Sequence, residues 1–276
     1  MKKVTFLLAI LSITLFSCGP SAKDYHEKGS ASYLSGDYKA AIGEYDKAIE
    51  IEPDNAVYYY DRGLAKFDDT NYKGAIEDFT KALELKYFDE ASVYIRRGEA
   101  KSYLDNDKEA ISDFDKAIEI DPDYNAEVYL LRAISKSYIS DDNTDQINDY
   151  TKAIEIDADY GRAYYNRGLA RIDLGDYDEA AEDFNTAIKK DYDLGYFGRG
   201  MIKYELEQYQ DALLDFNLIL SLTLSEEESN TLGEIYLCRG MTNYLLENFE
   251  QACADFENAE KHNNVEAEDW INEFCK

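Results

Sequence analysis

The sequence predicts an all-α chain of stacked helix pairs, and three observations carry that prediction. A phrase that opens on Arg-Gly and closes on Asp-Phe returns along nearly all of the 276 residues. Its period, near 34, marks helix pairs piled on one another. Each copy alternates two runs of helical spacing with a short polar turn. Proline is scarce at 3 residues and tyrosine plentiful at 25, which leaves few forced breaks and much aromatic surface to bury. Lys and Arg number 29 against 58 Asp and Glu, a net charge of −29. Such a surface repels nucleic acid and anionic headgroups, so neither is an expected partner of the body of the chain. With 45% apolar residues, the charge does not read as disorder.

The first element differs in kind. Met1, Lys2 and Lys3 make a short basic start, and Val4 to Phe16 is uncharged. That run is too short to span a bilayer and suits the apolar part of a secretory signal. Its end, Leu15-Phe16-Ser17-Cys18, resembles a bacterial lipobox: Leu three before the cut, a small residue one before, Cys just after. Phe16 is bulkier than usual there. The resemblance implies a signal peptide over 1–17, a lipid such as palmitate on Cys18, and a lipidated tether over 18–23. It places the chain on the bacterial envelope, at the outer membrane facing the periplasm. Acyl chains rather than charge would hold it there.

Seven repeats follow, over about 22–55, 56–90, 91–125, 126–160, 161–192, 193–232 and 233–262. Their anchors are Lys28-Gly29, Arg62-Gly63, Arg97-Gly98, Arg132-Ala133, Arg167-Gly168, Arg199-Gly200 and Arg239-Gly240. The spacing is 34 or 35, contracting to 32 before Arg199 and stretching to 40 before Arg239. In repeat five, Ala163 to Leu174 reads as the first helix, Gly175-Asp176-Tyr177 as the turn, and Asp178 to Lys189 as the second helix. Pro53 and Pro122 stand just past helix ends, where proline is tolerated. Ala41, Ala75, Ala110, Ala180, Ala212 and Ala252 supply a small residue where paired helices touch; repeat four has Gln146.

This pattern resembles the tetratricopeptide repeat family. Its signature is an aromatic, a Gly four residues on, then Ala, an aromatic and Ala on the second helix. Tyr164, Gly168, Ala180, Phe184 and Ala187 fill those places in repeat five, and Tyr59, Gly63, Ala75, Phe79 and Ala82 in repeat two. Ala158 stands where the closing Pro belongs after repeat four. The resemblance covers about 22–262 and implies a right-handed α-solenoid of about seven helix-turn-helix units. Such an array is held by neighbour contacts and needs capping. The segment 263–276, amphipathic over Val265–Cys275 with Trp270, Ile271 and Phe274, reads as the capping helix. An exported chain meets an oxidising compartment. Cys238, Cys253 and Cys275 allow three pairings; Cys253–Cys275, which would pin the cap, is the preferred one, with Cys238 a buried thiol.

Arg and Asp recur at a fixed distance. Arg62 precedes Asp78 by 16, as do Arg97 Asp113, Arg167 Asp183, Arg199 Asp215 and Arg239 Asp255; Arg132 and Asp149 are 17 apart. Repeat one carries Lys28 and Glu44. Each Arg sits inside an apolar line, as in Ala163, Arg167, Ala170, Leu174. The expectation is a ladder of half-buried structural ion pairs.

In the family, first-helix residues line the concave groove that takes a partner. Three before, one after and four after the anchor Gly or Ala fall on one helical face. They read Tyr60, Leu64, Phe67; Ile95, Glu99, Ser102; Leu130, Ile134, Ser137; Tyr165, Leu169, Ile172; Phe197, Met201, Tyr204; and Leu237, Met241, Tyr244, with Tyr103 and Tyr138 one position further on. An apolar stripe of this extent marks a binding surface. The Lys and Asn set with which chaperone-binding members clamp a terminal carboxylate is missing, and Asp68, Asp173 and Glu205 stand one position past the stripe. The expected partner is an apolar or basic protein segment.

Catalysis is not expected. There is no Gly-rich phosphate loop, and His26 and His262 lack a nearby nucleophile. Asp121, Asp123, Asp157 and Asp159 fall at inter-repeat turns, where Asp caps the next helix, and lack the spacing of a calcium loop. No cofactor or metal is expected. The reading is a membrane-tethered scaffold for protein–protein interaction. The alternative is a solute- or glycan-binding lipoprotein of an uptake system, which would want Trp and paired amides at one spot; Trp270 lies in the cap.

Overall fold

The computed structural model describes residues 19–140, 142–222 and 231–275. The signal segment and Cys18 lie outside the described residues. Among those described there are 15 helices and no strand, and none of the helices is long and apolar enough to cross a membrane. Contacts divide the chain into two compact units, 1–89 and 90–276.

The first unit holds α1 (Ala22–Leu34), α2 (Tyr38–Ile51), α3 (Ala56–Asp68) and α4 (Tyr72–Glu84). Successive helices pack antiparallel in pairs, and the pairs stack through α2 on α3. Helix α1 starts at Ser21, whose hydroxyl accepts from the Asp24 N–H while Asp24 reaches back to the Ser21 N–H. This reciprocal cap fixes the entry of the array. Asp37, Asn55 and Asn71 cap the next three helices.

The second unit holds α5 (Glu90–Ser102), α6 (Asp107–Ile120), α7 (Ala126–Ser137), α8 (Asn143–Ile156), α9 (Gly161–Leu174), α10 (Tyr177–Lys189), α11 (Leu194–Glu205), α12 (Tyr209–Ser221), α13 (Leu232–Leu245), α14 (Phe249–Lys261) and α15 (Ala267–Phe274). From α5 to α14 the odd helices are the first of each pair, and α6, α8, α10 and α12 each also pack on the next pair. The anchor glycine lets paired helices close on an aromatic: a Cβ on Gly168 would sit 2.7 Å from the Phe184 ring. The short spacing before Arg199 goes with a second close approach: a Cβ on Gly198, in the following helix, would meet the same ring at 2.3 Å. Gln146, in the small-residue position, is buried and donates to the Ser140 carbonyl at 3.3 Å. Leu174 ends its helix exposed instead of completing the apolar line.

Six of the turns within pairs place one residue in the left-handed region. It is glycine at Gly36 (φ 79°) and Gly175 (φ 81°), but Thr70, Asp105, Glu207 and Glu247 elsewhere. The cap α15 is shorter than its amphipathic segment. Its Trp270 stacks on Phe256 at 5.1 Å, Phe274 packs on Tyr244 at 4.6 Å, and a disulfide joins Cys253 to Cys275. Cys238 is a free thiol, its pKa pushed up to about 12 by burial.

Candidate functional site on the first-helix face

Arginine contacts are the most regular feature of the first helices. Arg62 grips Asp78 with Nε at 2.8 Å and Nη2 at 2.6 Å. The same two-pronged contact joins Arg97 to Asp113, Arg132 to Asp149, Arg167 to Asp183, Arg199 to Asp215 and Arg239 to Asp255. All six aspartates are buried. The remaining nitrogen, Nη1, donates to the second helix of the preceding pair: Asp46 from Arg62, Asp115 from Arg132, Thr151 from Arg167, Asn185 from Arg199 and Asn217 from Arg239. Each guanidinium lies over the tyrosine three residues before it, at 5.3 to 5.5 Å.

Sequence reasoning missed a third partner. Lys66, Lys101, Lys136, Arg171 and Lys203 reach the same aspartates at 2.6 to 2.9 Å. The signal was present: each stands four residues after its arginine, one turn along the helix. Asn243 takes the place in repeat seven, donating to Asp255 at 2.9 Å. Two cations outweigh burial at Asp215. Burial alone would raise its pKa, yet bonds from Arg199 and Lys203 hold it below the ordinary value. In repeat one, Glu44 pairs with Lys47 at 2.5 Å, while the Lys28 ammonium lies over Tyr25.

The expected groove residues separate into three groups. Ile95, Leu130, Tyr165 and Phe197, with Leu237, are buried and belong to the core. This corrects the expectation that positions three before the anchor face a partner. Successive first helices, α5 with α7 and α9 with α11 and then α13, touch directly and close over them. Tyr60 occupies the same register half-buried, stacked on Tyr87 at 4.5 Å. The second group, Leu64, Phe67, Ile134, Leu169, Ile172, Met201 and Tyr204, stays half-buried after the helices pack. Tyr244 is half-buried too, but the cap rings cover it. The third group, Tyr103 and Tyr138, stands 59% and 71% exposed.

The face changes chemistry along its length. Four residues after the anchor, most repeats put an aromatic against an aromatic of the turn: Tyr33 on Tyr38, Phe67 on Tyr72, Tyr204 on Tyr209 and Tyr244 on Phe249. Repeats three and four carry Ser102 and Ser137 instead, and Ser102 donates to Asp107 at 2.8 Å. Beside it, Glu99 accepts from Arg96 at 2.7 Å. Burial raises the Glu99 pKa despite that cation. Away from this face, Asn217, Asn243, Asn248, Gln251 and Asn258 line a shallow cleft between α12, α13 and α14. Among the described residues no His, Cys, Asp and Glu group is arranged to hold a metal.

Three repeat-family profiles match the chain. One described as TPR repeat covers 29–69, and two described as tetratricopeptide repeat cover 56–89 with 91–124, and 161–191. No curated protein matches. Among solved structures, a tetratricopeptide repeat protein from Parabacteroides merdae is 18% identical, with 94% of this chain and 100% of that one covered and a TM-score of 0.74. MamA is 27% identical, with 63% and 93% covered and a TM-score of 0.56. YrrB, a TPR protein with an unusual peptide-binding site, is 20% identical, with 68% and 92% covered and a TM-score of 0.54.

Proposed function

Because the chain belongs to the tetratricopeptide repeat family, we propose that it is an interaction scaffold that binds a protein segment along its first-helix face and performs no catalysis. The observation that carries this is the run Leu169, Ile172, Met201 and Tyr204, which remains half-buried once its own helices have packed. Apolar side chains left so by a regular array gain further burial when another molecule covers them. YrrB shares the fold and has a peptide-binding site, which supports the same use of this scaffold. The lipobox-like Leu15 to Cys18 supports a lipid anchor on the bacterial envelope, on the outer membrane facing the periplasm.

Capture with the full chain from the membrane fraction, followed by identification of what is bound, tests both halves. A protein partner should be recovered with the native chain and lost with Leu169→Ser combined with Tyr204→Ser. Cys18→Ala should release the chain from the membrane fraction. Recovery of a saccharide alone would overturn the scaffold reading.

A further inference from the structure

Asp107 breaks a rule that every other buried aspartate of the described residues obeys. The six others each hold an arginine. Asp107 is 8% exposed, and among the described residues its one side-chain hydrogen bond comes from the neutral Ser102 hydroxyl at 2.8 Å. It is the first residue of α6, so the helix end offers it a partial positive charge, but no cation of the described residues pairs with it. Buried charges in proteins are normally paired. The cations nearest in sequence along α5 and α7 are committed elsewhere: Lys101 to Asp113 at 2.6 Å and Lys136 to Asp149 at 2.9 Å.

Two further features share the place. Ser135, only 1% exposed, lies with its Oγ 3.2 Å from that of Ser102; the same register holds Ala65, Ala100 and Ala170 in other repeats. A polar chain therefore runs from the core to the first-helix face where its neighbours are apolar. Tyr103 and Tyr138, exposed at 59% and 71%, hold the position five after the anchor in these same two repeats, where other repeats carry Asp68, Asp173 and Glu205. Aromatic faces and an uncompensated carboxylate both favour a cation.

We propose that repeats three and four form a subsite for one basic side chain, Lys or Arg, of the bound protein segment, its cation supplying the charge that Asp107 lacks between the Tyr103 and Tyr138 rings. The subsite rests on the scaffold reading and names what the segment must carry. Flanking half-buried groups such as Ile134 and Leu169 would take apolar neighbours of that residue. A terminal carboxylate is excluded by the charge of Asp107.

The test is selection of a random-peptide display library on the full chain, followed by affinities of the selected sequences as synthetic peptides. Selected peptides should carry a Lys or Arg among apolar residues, and changing it to Gln should weaken binding roughly tenfold. Against Asp107→Asn, the Lys and Gln peptides should bind alike. Thermal unfolding should show that this near-isosteric change does not lower stability, since it removes an unpaired buried charge. Ser102→Ala keeps the carboxylate and should keep the preference for the basic peptide, which guards against a misfolded Asp107 variant. Peptides selected without a basic residue, or a Lys-to-Gln effect that persists in Asp107→Asn, would overturn the subsite and leave the scaffold reading standing. Failure to select any peptide would overturn both.

Discussion

Every buried aspartate on the second helices except Asp107 holds a forked arginine, and in five repeats a second cation lies one turn along. At Asp183 the partners are Arg167 and Arg171, with the carboxylate 4% exposed and Arg167 13%. Removing the acid strands two half-buried cations. Asp183→Ala should therefore cost about 3–5 kcal/mol, the range for breaking a buried pair. A double-mutant cycle on Arg167 and Asp183, read by urea unfolding, checks it; coupling near zero would dismiss the ladder as a set of surface pairs. Arg167 also donates to Thr151 of the preceding repeat, a contact lysine cannot make while keeping both prongs. The arginine–aspartate pairing was legible in the sequence because a separation of 16 across a turn recurred in five repeats, with 17 in a sixth. The third partner was equally periodic but hidden, because a lysine beside an apolar line reads as a solvated side chain.

Helix pairs are closed by turns that demand a left-handed residue, and the chain meets that demand unevenly. Gly36 and Gly175 adopt it without strain, whereas Thr70 takes φ 60° with a branched β-carbon. The left-handed conformation costs an L-residue roughly 1–2 kcal/mol, and more for a branched one. Thr70→Gly should raise stability by about 1 kcal/mol after the entropy of the unfolded glycine is deducted. A shifted denaturation midpoint with unchanged slope would verify it, and a fall in stability would mean the hydroxyl is engaged. Turn positions were visible in the sequence from Gly-Asp-Tyr and its variants. Burial of Ile95, Leu130, Tyr165 and Phe197 was not. Spacing fixes which side of a helix a residue takes, but whether that side meets solvent depends on how near the next first helix comes.

Taken whole, the molecule carries a net charge of −29 and buries several acids without full compensation. Burial raises the pKa of Asp61, Glu99 and Glu234. A raised carboxyl favours the folded state fully below its unfolded value and loses that contribution as pH climbs through its folded value. Asp215 runs the other way: its pKa is lowered, so its contribution is present above the unfolded value and lost as pH falls through the folded one. Self-repulsion of the net charge adds to the first trend. Stability should therefore be greater at about pH 5 than at about pH 8. Chemical denaturation at the two values decides it, and the opposite order would show that the interior acids are better compensated than their surroundings indicate. The repeat class was legible throughout because periodicity survives substitution. The basic-residue subsite was not, because it arises from Ser102, Asp107 and Ser135 departing from the pattern together, and only coordinates bring those departures to one place. The far nitrogen of each arginine has a further consequence. It donates to a carboxylate, hydroxyl or amide oxygen alike, at Asp115, Thr151, Asn185 and Asn217. A gene that lost residues 126–160 would bring Arg167 against Asp115, the acceptor Arg132 uses now. Copy number can drift by whole modules without the seam being redesigned, and a lineage is free to lengthen or shorten its scaffold to suit whatever it carries.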